Sequence, residues 1–165
     1  MKNKKGQEEI VGFVVIVVIM ALVLIVILGF SMRSGYQVKT ESRDVSNFLY
    51  SSMEYTSDCA LQYEPAYSKL GELLKECYQG NKCLDGNDAC TDFKVPFTAM
   101  LDESFKVGTD RPIKGYIFNV TYQTNSSSAF VFAIKKGECA GKIQGAEYIT
   151  PMYPGDIIGA LEICT

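Results

Sequence analysis

The sequence contains no histidine and no tryptophan among its 165 residues. Histidine is the commonest general base at neutral pH and the usual nitrogen ligand of zinc, so its absence removes both roles. Serine–histidine and cysteine–histidine nucleophilic catalysis is excluded outright. The sequence also lacks a phosphate-binding glycine loop, a C-x-x-C pair and a nucleophile elbow. We therefore predict that the protein is not an enzyme and that it binds no cofactor and no metal.

Positive charge is also scarce. The formal net charge is −3, and charged residues make up only 21% of the chain. Proteins that bind the phosphate backbone of a nucleic acid carry an excess of lysine and arginine. We therefore predict no nucleic-acid partner.

One long apolar run, Ile10–Phe30, is present, and it holds no charge, amide, hydroxyl or proline. A helix of this length covers about 30 Å, the thickness of the hydrocarbon core of a bilayer. A single helix satisfies its own backbone there. We predict a transmembrane helix. The alternative is a buried core helix, but no other part of the chain is long or apolar enough to cover it on all sides.

All the cysteines follow this run. An even number on one side of a membrane helix predicts three disulfides in an oxidising compartment. This places the N-terminus in the cytoplasm and the following domain outside the cell, as a single-pass protein of the cell membrane. Among fifteen pairings we favour Cys139–Cys164, because one follows the second predicted strand and the other ends the fourth. The other two bonds stay open among Cys59, Cys77, Cys83 and Cys90.

The helix is predicted to continue beyond the apolar run. Val38, Val45, Leu49 and Met53 recur at helical spacing, and no proline occurs between Ser31 and Thr56. We predict one helix over residues 7–58, apolar all round in its first half and amphipathic in its second. The alternative is two helices with a break near Ser34–Gly35.

Residues 59–165 are predicted to form a cysteine-rich α+β head. A helix is expected over Ala66–Tyr78, and a short one is expected to begin at Pro96. The polar loop between them, Gly80–Asp92, spaces its carboxylates somewhat like a calcium loop. It lacks the required glycine and the terminal glutamate, so a turn held by disulfides is the better interpretation.

The head ends in a predicted antiparallel β-meander of four strands. From Lys114 the apolar residues alternate with period two, first in GYIFNVTYQ and then in AFVFAIKKG. Further strands are expected near Glu147–Met152 and over Ile157–Cys164. We predict that the aromatic side chains of the first two strands pack in the core: Tyr116, Phe118, Tyr122, Phe130 and Phe132.

Two N-glycosylation sequons lie in or beside these strands, Asn119-Val120-Thr121 and Asn125-Ser126-Ser127. The first falls on a strand and the second in the turn that follows it. Both positions are expected to be exposed, so Asn119 and Asn125 are candidate modification sites.

The N-terminus carries a short motif, Lys4-Lys5-Gly6-Gln7-Glu8-Glu9, directly before the apolar run. This arrangement resembles the class III signal of archaeal type IV pilin-like proteins. The resemblance implies that residues 1–6 are a basic leader and that a prepilin peptidase cleaves between Gly6 and Gln7, leaving the apolar helix on the mature protein. The family commonly has a glutamate at the fifth mature position, where this chain has Val11. Glu8 and Glu9 are therefore the candidate assembly residues.

The expected function is that of a pilin-like structural subunit, major or minor, of an archaeal type IV filament at the cell surface, inserted in the membrane before assembly. The expected partners are the membrane, the prepilin peptidase and other pilin subunits. The alternative is an uncleaved, single-pass, membrane-anchored extracellular adhesion or recognition domain. A tethered enzyme would need a pair of carboxylates in a cleft, and the sequence singles out no such pair.

Overall fold

The computed structural model describes residues 14–27, 40–63 and 65–165. The chain divides into two units, Met1–Gln37 and Val38–Thr165. In the first unit, residues 14–27 form helix α1. From here on we use the word head for the whole second unit, which begins earlier than the predicted head of residues 59–165. Its described residues form three helices: α2 Arg43–Met53, α3 Leu70–Gln79 and α4 Ala89–Ser104. Its strands are β1 Thr40–Glu41, β2 Thr56–Ala60, β3 Tyr67–Lys69, β4 Gly115–Gln123, β5 Ser128–Gly137, β6 Ile143–Met152 and β7 Gly155–Cys164.

The predicted continuous helix over residues 7–58 is wrong in its described part. Thr40–Glu41 is a strand that pairs in parallel with Gln144–Gly145 of β6, and α2 begins only after Ser42. The apolar stripe itself is real, since Val45, Leu49 and Met53 are buried. The stripe predicted a helical face correctly, but strand pairing with a residue a hundred positions away has no local sequence signal.

Within residues 14–27, 40–63 and 65–165, no helix is long and apolar enough to cross a membrane. This finding corrects the predicted fold class, with its transmembrane spine, and the predicted location as a single-pass membrane protein. The part of Ile10–Phe30 that the structure describes is α1 alone.

The head is built on a sheet of five strands in the order β1-β6-β7-β4-β5. Apart from the two-residue β1, all neighbours are antiparallel. The prediction of a simple meander is wrong. The hairpins β4–β5 and β6–β7 both form, but β7 returns to pair with β4, so β5 lies at one edge of the sheet. A small separate sheet joins β2 to β3.

The core lies on the face of the sheet that packs against α2, α3 and α4. We call this the inner face. From the sheet, Tyr116, Phe118 and Leu161 are almost or completely buried, and the helices contribute Leu49 and Leu74. Four aromatic rings form a continuous cluster between α4 and the sheet: Phe93, Phe97, Phe118 and Phe132.

The aromatic core prediction fails at one residue. Phe130 is 68% exposed, whereas Phe132 is buried. A β-bulge explains the difference: Val120 pairs with Phe132, but the next residue, Thr121, pairs with Phe130, so Val131 is an extra residue in β5. Strict alternation would put Phe130 and Phe132 on the same face, and the inserted residue moves Phe130 to the opposite, outer face.

Helix α4 begins earlier than predicted. Pro96 is not in its first turn but in its interior, and the helix starts at Ala89. Asp88 is the N-cap, and its carboxylate accepts a hydrogen bond of 3.1 Å from the Thr91 backbone N–H. The capping residue, which the sequence analysis assigned to a loop, sets the start of the helix. Helix α3 also starts later than predicted, because Tyr67–Lys69 pairs with β2.

Candidate interaction surfaces

The first candidate surface is α1. It contains no polar side chain, and every large apolar residue from Val14 to Ile27 is between 50% and 64% exposed. A helix of a soluble domain normally exposes a polar face, whereas this one is apolar all round. Exposed apolar surface of this extent marks a site of interaction with other molecules.

The second candidate surface is the outer face of the sheet, the side opposite the helices. The strand register places its residues in rows that cross β6, β7, β4 and β5. One row is Ile149–Ile158–Thr121–Phe130, the next is Glu147–Ala160–Asn119–Ala133, and the third is Gly145–Glu162–Ile117–Lys135. Ile149 is 54% exposed, so both ends of the first row present large apolar side chains. We call these three rows the outer sheet face.

Charge is distributed unevenly over the outer sheet face. Its acidic residues, Glu147 and Glu162, lie on β6 and β7, while its basic residue, Lys135, lies on the opposite edge strand β5. The face therefore carries opposite charges on its two sides, with an apolar row beside them.

The two sequons occupy different environments. Asn119 sits in the middle of β4, is half-buried, and is paired with Ala133 on one side and Ala160 on the other. Asn125 is exposed in the β4–β5 turn. That turn is closed by Thr124, whose backbone N–H donates to the Ser127 carbonyl at 2.8 Å.

A cavity of about 610 Å³ opens beside this turn, where the tips of the two hairpins meet. Its lining includes Gln123, Asn125 and Asp156, together with Tyr153, which is 97% exposed. Amide, carboxylate and aromatic groups in one open cavity can bind a polar ligand by hydrogen bonding and stacking.

All six cysteines form disulfides within the head. The bonds are Cys59–Cys83, Cys77–Cys90 and Cys139–Cys164, and the last is the pair that the sequence analysis favoured. Two of them hold the Gly80–Asp92 region against β2 and α3. The arrangement matches a turn held by disulfides, and disulfides of this kind are typical of proteins from an oxidising compartment.

The acidic residues of this turn are used by the fold. Asp85 accepts hydrogen bonds from the backbone and side-chain nitrogens of Asn87 at 2.9 and 2.7 Å, and Asp88 caps α4. Asp92 Oδ2 lies 3.2 Å from Cys83 Sγ, which is oxidised and therefore has no thiolate to offer a metal. Burial, and then the charges of Asp85, Asp58 and Asp88, raise the pKa of the Asp92 carboxyl.

The predicted processing and assembly residues, Gly6, Gln7, Glu8 and Glu9, lie outside the described residues. Sequence reasoning missed the outer sheet face because Phe130 was assigned to the core. The alternation of AFVFAIKKG shows which residues share a face of an unbroken strand, and it contains no sign of the bulge.

Comparison with known proteins gave no match to a family model, to a curated protein or to a solved structure.

Proposed function

We propose that this chain is a pilin-like structural subunit of an archaeal type IV filament. In this proposal the α1 helices of many copies pack together to form the filament core, and the disulfide-bonded heads face the medium. The peptidase cut between Gly6 and Gln7, and the pairing of Glu8 or Glu9 with the freed amine of a neighbour, belong to the same proposal.

The observation that carries the proposal is α1. Its apolar side chains are exposed on every side, and burial of such surface is favourable by about 25 cal/mol per Å². A bundle of identical helices covers an all-round apolar surface without any polar face being needed. The head supports a structural role in another way, because three disulfides stabilise it independently of any partner.

The first experiment is mass spectrometry of the mature native protein. A chain processed as a pilin begins at Gln7, whereas an unprocessed chain begins at Met1 or Lys2. A mass that includes residues 1–6 would contradict the processing step.

The second experiment tests assembly by electron microscopy of cells that express charge variants. Val18→Arg places a charge in the middle of α1, and we expect it to abolish filaments. Val95→Arg is the matched control, since Val95 is 66% exposed on α4 and Val18 is 52% exposed. Filaments that persist in the Val18 variant, or disappear equally in both, would contradict packing through α1.

A second candidate function is an adhesion or recognition domain. The exposed Tyr153 and the polar cavity at the hairpin tips favour it, because they resemble a ligand-binding site more than a packing surface. An unprocessed N-terminus and the absence of filaments would support this candidate over the first.

A further inference from the structure

The outer sheet face has two features that belong to an interface. Phe130 and Ile149 stand at opposite ends of one row and are each more than half exposed. Between them lie Ile158 and Thr121, so the row offers apolar contact across four strands. The bulge in β5 is what presents Phe130 on this side, at the cost of removing a large aromatic ring from the core.

The arrangement of these residues is self-complementary. Consider a second copy related to the first by a two-fold axis that runs parallel to the strands and lies above the midline between β7 and β4. This axis places β6 of one copy over β5 of the other, and each row over the same row of the other copy. It places Phe130 of one copy against Ile149 of a second copy, and Ile158 against Thr121. Both contacts occur twice, as an isologous interface requires.

The charges follow the same symmetry. The axis brings the β5 edge of one copy, with Lys135, over the β6 edge of the other, with Glu147. Lys135 and Glu147 lie in adjacent rows, so they are offset by about 7 Å along the strand direction. A lysine side chain spans this distance, so Lys135 of each copy reaches Glu147 of the other, once at each edge of the paired sheets and both times on the same side of the apolar row.

On this basis we propose that the outer sheet face is a docking surface for a second copy of the same chain, joined face to face about this two-fold axis. Two antiparallel sheets pack in this way at about 10 Å separation. An isologous contact closes on itself and does not propagate. The contact therefore links two heads in pairs and does not depend on how α1 packs.

The size of the face sets the expected affinity. Four strands about 4.8 Å apart, each contributing three rows about 7 Å apart, give roughly 400 Å² per copy. Stable specific interfaces bury about 800 Å² per partner, and transient ones bury less. We expect a reversible head pair, so the experiment must trap it covalently.

The experiment uses the full-length protein in detergent with a photoreactive amino acid at position 149. Chains with and without heavy isotopes are mixed before illumination, so that links between copies are separated from links within one chain. The proposal expects a link from position 149 to the tryptic peptide that follows Lys114 and ends at Lys135 of the other copy. Absence of links between isotopically different copies, or links to another peptide, would overturn it.

Two pairs of variants test the contact in the same assay. Phe130→Ser is expected to lower the yield of this link by about tenfold, the effect of removing one buried aromatic side chain. Val95→Ser, at an equally exposed site on α4, is expected to leave the yield unchanged. Lys135→Glu removes the cleavage site at residue 135, so its linked peptide ends at Lys136, and the yield of this peptide is expected to be about threefold lower. Lys82→Glu, on an exposed loop, is expected to have no effect. Equal yields within either pair would contradict the proposed orientation.

The assay is repeated with Val18→Arg, the variant expected to disrupt packing through α1. The link from position 149 is expected to persist there, because the head contact involves only β4 to β7. If the link disappears with Val18→Arg, the two heads meet only as a consequence of α1 assembly, and the independent head pair is excluded. If the unsubstituted protein forms no filaments but the link from position 149 is present, the filament proposal fails and the head pair stands.

Discussion

The Tyr116 hydroxyl donates a 2.7 Å hydrogen bond to Asp102 Oδ1, which joins strand β4 to the end of α4. The other carboxylate oxygen of Asp102 lies 2.9 Å from Lys136 Nζ on the edge strand β5. Tyr116 is almost completely buried, and burial, followed by the hydrogen bond to Asp102, raises the pKa of its hydroxyl. One carboxylate thus connects a helix and two strands.

Tyr116→Phe removes this hydrogen bond while keeping the buried ring. A hydrogen bond to a charged group contributes about 1.5–3 kcal/mol, and the Asp102 side chain is 38% exposed, so screening reduces the effect to about 1 kcal/mol. We expect this loss in chemical denaturation at neutral pH. Tyr153→Phe removes a hydroxyl that is freely exposed and serves as the control. An unchanged free energy of unfolding for Tyr116→Phe would show that the bond contributes nothing.

Asp102 and Asp92 are expected to affect the pH dependence of stability with opposite signs. The Tyr116 hydroxyl, and then Lys136, lower the pKa of Asp102, so its contribution is present above the unfolded pKa of about 3.9 and is lost as pH falls through the folded pKa. Burial and neighbouring carboxylates raise the pKa of Asp92, so its charge destabilises the fold at neutral pH. That penalty disappears as pH falls through the raised pKa.

We therefore expect Asp102→Asn to lower stability at pH 7 and Asp92→Asn to raise it. Both differences from the unsubstituted protein are expected to shrink as the pH approaches 3. Urea denaturation at a series of pH values measures this, and each variant is the control for the other because the substitution is the same. Two variants with the same sign at pH 7 would contradict the assignment.

Gly159 allows β7 to pass directly over the ring of Phe118. A Cβ at this position would lie 2.9 Å from the tip of that ring, which is completely buried among other aromatic rings. Because the ring has no room to move, we expect Gly159→Ala to destabilise the head by about 1–3 kcal/mol. Gly108→Ala meets only the flexible Arg111 side chain at 3.0 Å, and its thermal unfolding should be much closer to that of the unsubstituted chain.

The disulfide map is open to direct measurement. Trypsin leaves Cys83 and Cys90 on one peptide, between Lys82 and Lys94, so it cannot separate their partners. Cleavage before Asp85 or Asp88 separates the two cysteines. The unreduced digest is then expected to contain the linked pairs Cys59–Cys83, Cys77–Cys90 and Cys139–Cys164, with no free thiol. Any other pair would refute this packing of α3 and α4.

Glycan position provides a separate test of the outer sheet face. Asn119 lies at the centre of that face, so a sugar there would prevent the head pair, whereas Asn125 lies in an exposed turn beyond it. We expect an N-linked glycan on the native protein at Asn125 and none at Asn119. Peptide fragmentation locates the sugar, and Asn125→Gln should remove it while Asn119→Gln should not. A glycan at Asn119 would contradict face-to-face pairing.

The sequence by itself determined the features that depend on local pattern. The absence of histidine excluded whole classes of catalysis, and the spacing of Val45, Leu49 and Met53 predicted the buried face of α2. Alternation located β4 and β5, because the two sides of a strand with one buried face differ in polarity. Strands near Glu147–Met152 and over Ile157–Cys164 were also expected, and both begin earlier than predicted, at Ile143 and Gly155. The even number of cysteines indicated the disulfides, and the ends of the predicted strands indicated the pair Cys139–Cys164.

Only the tertiary structure decided which strands are neighbours and which residues leave the core. The pairing of β7 with β4, and of Thr40–Glu41 with β6, joins segments far apart in the chain, so nothing local specifies them. The bulge at Val131 is equally invisible in the sequence, since the alternation of β5 continues through it. A single inserted residue moves the preceding side chains of the strand to the opposite face of the sheet. This change puts Phe130 on the outer sheet face.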